Sequence, residues 1–261
     1  MIIGVDHALI AVDDLEAGMR TYRRLGFDVV AGGTHPQHGT HNALVPMTDG
    51  FYLELMGVWD RALAAQHPHT SQIVEALDRE DRLALFALDS DDLDADLAES
   101  RGQGLGISEP VPGERERPDG ERVAWRTAHP DDPRLPFLIE DVTPRSVRVP
   151  EPESGIGGNL HIEAMVATGP ASHGAAYAQL LGGDPRDGPR SFRRGSLRVQ
   201  TGAADDRSLR LVLATDDRER LRSTWVGQGV SFEEETMSDG RRALVPQATG
   251  GATLWIAERP T

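Results

Sequence analysis

The chain has 261 residues, a net charge of −15 at neutral pH, 38% hydrophobic and 26% charged residues. These are the proportions of a soluble globular protein with room for one large or two ordinary domains, and the acidic balance argues against a nucleic-acid partner, which needs a basic face. Cysteine is absent and all 27 basic residues are arginine, which excludes disulfides, thiolate nucleophiles, Cys-ligated zinc and a lysine Schiff base.

No apolar run is long enough to span a bilayer. The opening MIIGVDHALIAVDD lacks a basic start and turns acidic within a few residues, so it reads as a strand and not a signal peptide. A cytoplasmic protein with no membrane partner is expected. Residues 3–12, IGVDHALIAV, form a strand-like run that ends at Asp13-Asp14. Either aspartate can cap the helix DLEAGMRTYRRLG, which closes at Gly26. Phe27–Ala31 reads as a short strand. A Gly-rich loop from 32 to 41 follows it and carries His35, His38 and His41. Residues 42–47 and 51–56 then make a hairpin around Thr48-Asp49-Gly50, which completes a β-α-β-β-β unit.

In the last strand of that unit, Glu54 lies between Leu53 and Leu55. Alternation sends it to the face opposite its apolar neighbours. A carboxylate in such a run is costly to bury unless it is paired or bound to a metal, which marks Glu54 as functional. The loop histidines offer a general acid or base near neutral pH, with Thr40 and Asn42 as polar substrate contacts. Alternatively, Gly39 supplies an unusual backbone angle to an ordered loop and the histidines are solvated.

A linker of helical character runs to about Arg82, and its His67 and His69 read as surface. The pattern then recurs: residues 83–102 give a strand, an Asp-Asp-Leu helix start and a helix that ends at Gly. The acidic cluster there reads as a capped, solvated helix face. ERVAWRTA (121–128) and LPFLIEDV (135–142) supply two further strands. The Pro/Gly-rich stretch 144–158 is the best boundary, dividing the chain into 1–145, a linker at 146–158, and 159–261. Residues 159–183 and 208–230 repeat the strand and helix, and RRALVPQ and ATLWIAE close the chain as a hairpin around Thr249-Gly250-Gly251. Four copies of one unit are counted, the third truncated.

VDHALIAVDDLEAG, LGFDVVAGGTHPQHGTHNALVPMTDGFYLEL and RPDGERVAW…PFLIED together resemble the glyoxalase-like proteins of the vicinal oxygen chelate superfamily, over residues 1–142. The resemblance implies an α+β fold of tandem βαβββ modules, paired into two curved-sheet, barrel-like halves that each enclose a cleft. It implies metal ligands from the first and last strands of two modules. By position those places hold His7 and Glu54 in the first module, and Leu85 and Glu140 in the second, Leu85 being a departure from the pattern. The implied cofactor is a divalent metal (Mn, Fe, Ni or Zn) held by His7, Glu54 and Glu140. His35 stands where the family has a histidine and joins Glu54 as a catalytic residue. His38, Thr40, His41, Asn42, Arg117 and Trp125 would bind substrate, with Arg117 in the family's Arg-x-Asp-Gly segment. In the second half the matching places hold His161 or Glu163, Arg210 and Trp255, so that cleft reads as structural or repurposed.

Two functions follow. One is a metal-dependent lyase, isomerase or dioxygenase whose metal chelates vicinal oxygens of a small oxygenated substrate. The other is a non-catalytic binding protein of the antibiotic-sequestering type, with the same cleft lined by Tyr52, Trp125 and Phe137 and no metal. The expected partner is a small molecule, and the chain is expected to be a monomer or homodimer.

Overall fold

Three of the five Asp-Asp pairs in the sequence precede helices, and in each of these three the second aspartate is the cap. Asp14, Asp92 and Asp217 accept hydrogen bonds from the amides of Ala17, Ala95 and Arg220. Each cap satisfies a donor that the first helical turn leaves open and is worth about 1 kcal/mol. The capped helices are α1 (Leu15–Arg24), α4 (Leu93–Gly102) and α7 (Arg218–Gln228), each directly after a strand.

The computed structural model describes residues 1–80, 82–117, 120–153, 155–183, 188–201, 208–249 and 254–260. The Thr249-Gly250-Gly251 turn falls largely outside them. In the first half, β1 (Ile2–Val12) and α1 precede β2 (Val30–His35), β3 (Thr40–Pro46) and β4 (Tyr52–Val58). Two helices, α2 (Arg61–Ala64) and α3 (Pro68–Leu77), lead to β5 (Leu83–Ser90), which precedes α4. Then come β6 (Val111–Glu116), β7 (Arg122–Ala128) and β8 (Phe137–Asp141), and the short helix α5 (Arg145–Arg148) follows them. These eight strands form one sheet in the order β2-β3-β4-β1-β5-β8-β7-β6.

The second half contains β9 (Leu160–Gly169), α6 (Ala171–Leu181), β10 (Arg190–Ser191), β11 (Ser196–Thr201) and β12 (Ser208–Thr215). After α7 come β13 (Phe232–Thr236), β14 (Arg242–Pro246) and β15 (Leu254–Glu258). They form a seven-stranded sheet in the order β10-β11-β9-β12-β15-β14-β13. Both sheets share one plan. The first strand of each module runs parallel to its last (β1 with β4, β5 with β8, β9 with β11, β12 with β15), and paired modules meet antiparallel through β1–β5 and β9–β12. The paired βαβββ architecture is therefore present. Among the described residues the third module has two strands after its helix where the others have three.

The convex faces and the helices share one apolar core. Leu53, Leu55, Phe86 and Leu138 of the first half belong to the same buried cluster as Met165, Leu213 and Trp225 of the second. Trp225 is fully buried, and its indole nitrogen donates to the Leu25 carbonyl at 2.9 Å. On the concave side of the first sheet, Ile73 and Ala76 of α3 pack on Leu9, Met56, Leu85 and Ala87. This helix lies against β1, β4 and β5 on that face. No helix among the described residues is long and apolar enough to cross a membrane.

Candidate functional site

A bulge in β1 between Val5 and His7 breaks the alternation, so Asp6 and His7 both turn from the core that receives Val5 and Ala8. His7 Nδ1 lies 2.5 Å from Asp6 Oδ1, and His7 Nε2 lies 3.1 Å from Glu54 Oε2. The second Glu54 oxygen accepts from the Asn42 side-chain amide. Tyr52 stacks on the imidazole at 4.6 Å and Phe137 meets it edge-on at 5.5 Å. All of these side chains are buried.

A carboxylate at each ring nitrogen favours the imidazolium form of His7, which can donate on both sides. Burial opposes that charge, but the bonds to Asp6 and Glu54 outweigh it and raise the His7 pKa. Burial likewise opposes a charged Glu54, yet His7 and the Asn42 amide bring its pKa down to about 2. Behind His7, Arg148 Nη2 reaches Asp6 Oδ2 at 2.8 Å while its Nη1 donates to the Tyr52 hydroxyl at 2.9 Å. Arg145 pairs with the same Asp6 oxygen. Helix α5 thus anchors the buried end of an Arg–Asp–His–Glu–Asn chain.

Around the mouth, His35 Nδ1 lies 3.0 Å from Thr40 Oγ1. Burial, Arg115 and His41 lower the His35 pKa against the pull of Glu54. Arg115, on β6, is electrostatically coupled to Tyr52 and Glu54. It donates to the Arg148 carbonyl at 2.9 Å and has no ion pair among the described residues. His69, at the start of α3, packs on Phe137 and on His129, both at 4.5 Å between centroids. Burial holds the His69 pKa well below 6.5 and brings His129 to about 4, so both rings are neutral at neutral pH.

The structure brings His7, Glu54 and Asn42 into direct contact, with Thr40 and His35 beside them. Trp125 packs on the same apolar cluster as Phe137, and His38 lies in the β2–β3 turn against His67. Other expected residues are elsewhere. Strand β8 turns Phe137 and Ile139 to the His7 side, so Glu140 faces α4, where it accepts from Arg126 Nε at 2.7 Å and the Leu93 amide at 3.2 Å. His41 alternates with Asn42 and lies over Gly57 on the other face. Arg117 donates to the Val147 carbonyl at 3.1 Å, tying the β6–β7 hairpin to α5. Asp119 of that segment is outside the described residues. His69, read from sequence as surface, is instead a wall of the cleft, because α3 docks into it. Asp6, Arg115 and His129 were not singled out from sequence. Strict alternation would put Asp6 and His7 on opposite faces, and the β1 bulge brings both to the site.

Gly32 shows how closely the loop supports this centre. A Cβ there would overlap the Asn42 side-chain amide, which the Gly33 amide and Glu54 hold in place. Gly32→Ala should therefore displace the Glu54 partner and cost about 1–3 kcal/mol in urea unfolding. A variant as stable as the parent would show that the amide has room to move.

Paired βαβββ modules closing curved sheets around a His–Glu centre define a protein of the vicinal oxygen chelate type. The chain belongs to the glyoxalase-like domain family, whose sequence model matches residues 5–181. No curated protein matches it. Among solved structures, a hypothetical protein from Staphylococcus aureus is similar at 14% identity and TM-score 0.69, over 99% of this chain and 100% of that one. A mutant 4-hydroxymandelate synthase from Streptomyces coelicolor is similar at 12% identity and TM-score 0.60, over 100% of this chain and 94% of that one. A Mn(II)-bound glyoxalase from Novosphingobium aromaticivorans is similar at 13% identity and TM-score 0.59, over 98% of this chain and 82% of that one. These likenesses are likenesses of fold.

The donor set present here differs from a metal site. Strands β5 and β8 offer Leu85, Ala87, Phe137 and Ile139 to the His7 side. No group of three or more His, Asp or Glu among the described residues is arranged to hold a metal ion. His7 Nε2 and Glu54 Oε2 are the two converging donors, and each already engages the other. Catalytic zinc and non-haem iron sites use three protein ligands, so these residues do not fit a resident metal of that kind.

Proposed function

We propose that the protein binds a small oxygenated anion in the first cleft without a resident metal. The observation that carries this reading is the mutual satisfaction of His7 and Glu54 beside an Arg115 that has no ion pair among the described residues. Arg115 supplies the charge for a carboxylate or enolate-like oxygen, and a guanidinium does this with two parallel hydrogen bonds. His35 adds a polar contact, while Phe137, Trp125, His69 and His129 supply aromatic walls. The His7–Glu54 pair sets the polar floor and fixes ligand orientation.

A second reading, a metal-dependent lyase or dioxygenase, is favoured by one feature. A buried carboxylate behind an imidazole, as Asp6 stands behind His7, is how metal-binding histidines are commonly oriented.

One experiment separates the two. Elemental analysis and thermal unfolding are run with Mn, Ni, Zn or Fe(II), and then with a panel of small 2-oxo and 2-hydroxy acids. The expected result is no stoichiometric metal and no metal-induced stabilisation. At least one acid should stabilise the protein, by about 2.7 kcal/mol at a hundredfold excess over Kd, and Arg115→Ala should remove that effect. A stoichiometric metal that is lost in Glu54→Gln would establish the second reading instead.

A further inference from the structure

The concave face of the second sheet carries a different set of groups. Val166 on β9 pairs with Arg198 on one side and Arg210 on the other. One pleat along, Val212 lies between Ala164 and Trp255. Ala164, Val166 and Val212 form a small apolar cluster against which Trp255 packs. Two strand spacings put the Arg198 and Arg210 backbones roughly 10 Å apart across this floor.

Both arginines keep guanidinium donors that no acceptor among the described residues fills. Arg210 lies over the Trp255 ring, its Cζ 4.2 Å from the centroid, and has no carboxylate partner among the described residues. Glu163 lies 3.9 Å from Arg198 and Asp239 is also close enough to feel its charge, but Arg241 already binds both carboxylates, Glu163 at 2.5 and 2.8 Å and Asp239 at 2.7 Å. Arg198 Nε is buried without a hydrogen-bond partner. An unsatisfied buried donor costs about 1–3 kcal/mol, and the two guanidinium groups leave such donors open to an anion.

We propose that this second cleft binds a small aromatic monocarboxylate. The carboxylate accepts from Arg198 and Arg210, filling the donors that the protein leaves open, and guanidinium forks match that planar group. The aromatic ring rests on the Val166–Val212 floor against the wall made by Arg210 and Trp255, where a flat apolar body buries surface that a fully polar anion would leave wet. The site is separate from the first cleft. It uses the Arg210 and Trp255 that replace ligand-competent residues in this half.

Isothermal titration of the full-length protein with benzoate tests this, with benzamide and inorganic phosphate as controls. The expected result is saturable benzoate binding, weakened about tenfold or more for benzamide and for phosphate. Arg198→Met and Arg210→Met should each weaken benzoate by a similar factor while retaining the parental circular dichroism and melting temperature. Any benzoate that enters the first cleft is a separate binding step, removed by Arg115→Ala and kept in Arg198→Met and Arg210→Met. Absence of saturable binding, equal binding of phosphate or benzamide, or loss through Arg115→Ala in place of Arg198→Met and Arg210→Met would each overturn the proposal. If either methionine variant misfolds, Trp255→Leu serves in its place: unchanged benzoate affinity in that variant would equally refute the site.

Discussion

A fragment ending at Pro150 is expected to be insoluble, or soluble without cooperative unfolding, although it contains every strand of the first sheet. Truncation removes Trp225, which is fully buried and hydrogen-bonded to the Leu25 carbonyl, together with Met165, Leu213 and other members of the shared core. It also strips the edge of β1. The Val5 amide donates to the Arg194 carbonyl and the Arg193 amide to the Ile3 carbonyl, both at 3.0 Å, while the Arg194 side chain pairs with Asp89. Large apolar side chains contribute about 1.5–3 kcal/mol each when buried, so losing five removes about 8–15 kcal/mol. A whole domain holds only about 5–15 kcal/mol. Near-ultraviolet circular dichroism and denaturant unfolding of the fragment check this. A cooperative transition with native-like aromatic signals would show that the first half folds alone.

The same contacts explain what could be read in the sequence and what could not. Periodicity, Asp-Asp helix starts and Gly ends are local signals, and they mark α1, α4 and α7 with the strands before them. Glu54 was legible because Leu53 and Leu55 flank it and alternation leaves it one direction to point. Alternation could also have separated His41 from Asn42, since neighbours in a strand face opposite ways. Glu140 depended on register. A shift of one residue in β8 exchanges the Phe137–Ile139 face for the Leu138–Glu140 face, and a short apolar run does not say which faces the cleft. Asp6 was hidden by the opposite circumstance, because the β1 bulge lets two consecutive residues share a side. His69 was out of reach for a third reason. Its helix was foreseeable, but the docking of that helix into the cleft is a long-range event with no local mark. Arg148 and Arg194 act from the linker and the other half, at sequence distances where no pattern rule operates.

Arg148→Ala is expected to be the most damaging single substitution near the site, costing about 3–5 kcal/mol at pH 7. It leaves fully buried Asp6 with Arg145 and His7, and deprives Asp141 and the Tyr52 hydroxyl of the guanidinium that now joins them. Arg148→Lys should recover part of the charge and little of the geometry, because an ammonium cannot span Asp6, Asp141 and Tyr52 as the fork does. The pH dependence gives the network its signature. Burial pushes the Asp6 pKa up, but Arg148, Arg145 and His7 prevail and hold it well below its ordinary 3.8. Its stabilisation is therefore in place above pH 3.8 and is lost in stronger acid. Glu54, at about 2 against an ordinary 4.5, stabilises fully above 4.5 and loses this as the pH falls towards 2. His7 runs the other way: its pKa is raised above 6.5, so its stabilisation is complete below 6.5 and declines as the pH rises through the folded value. The three together place the network's optimum between about pH 4.5 and 6.5. Urea unfolding at pH 3, 5.5 and 8 should show the parent losing its margin over Arg148→Ala in acid, where Asp6 takes up its proton. A penalty under about 1 kcal/mol at pH 5.5, in the range of an exposed ion pair, would mean that Arg145 alone suffices to hold Asp6, and through it His7, in place.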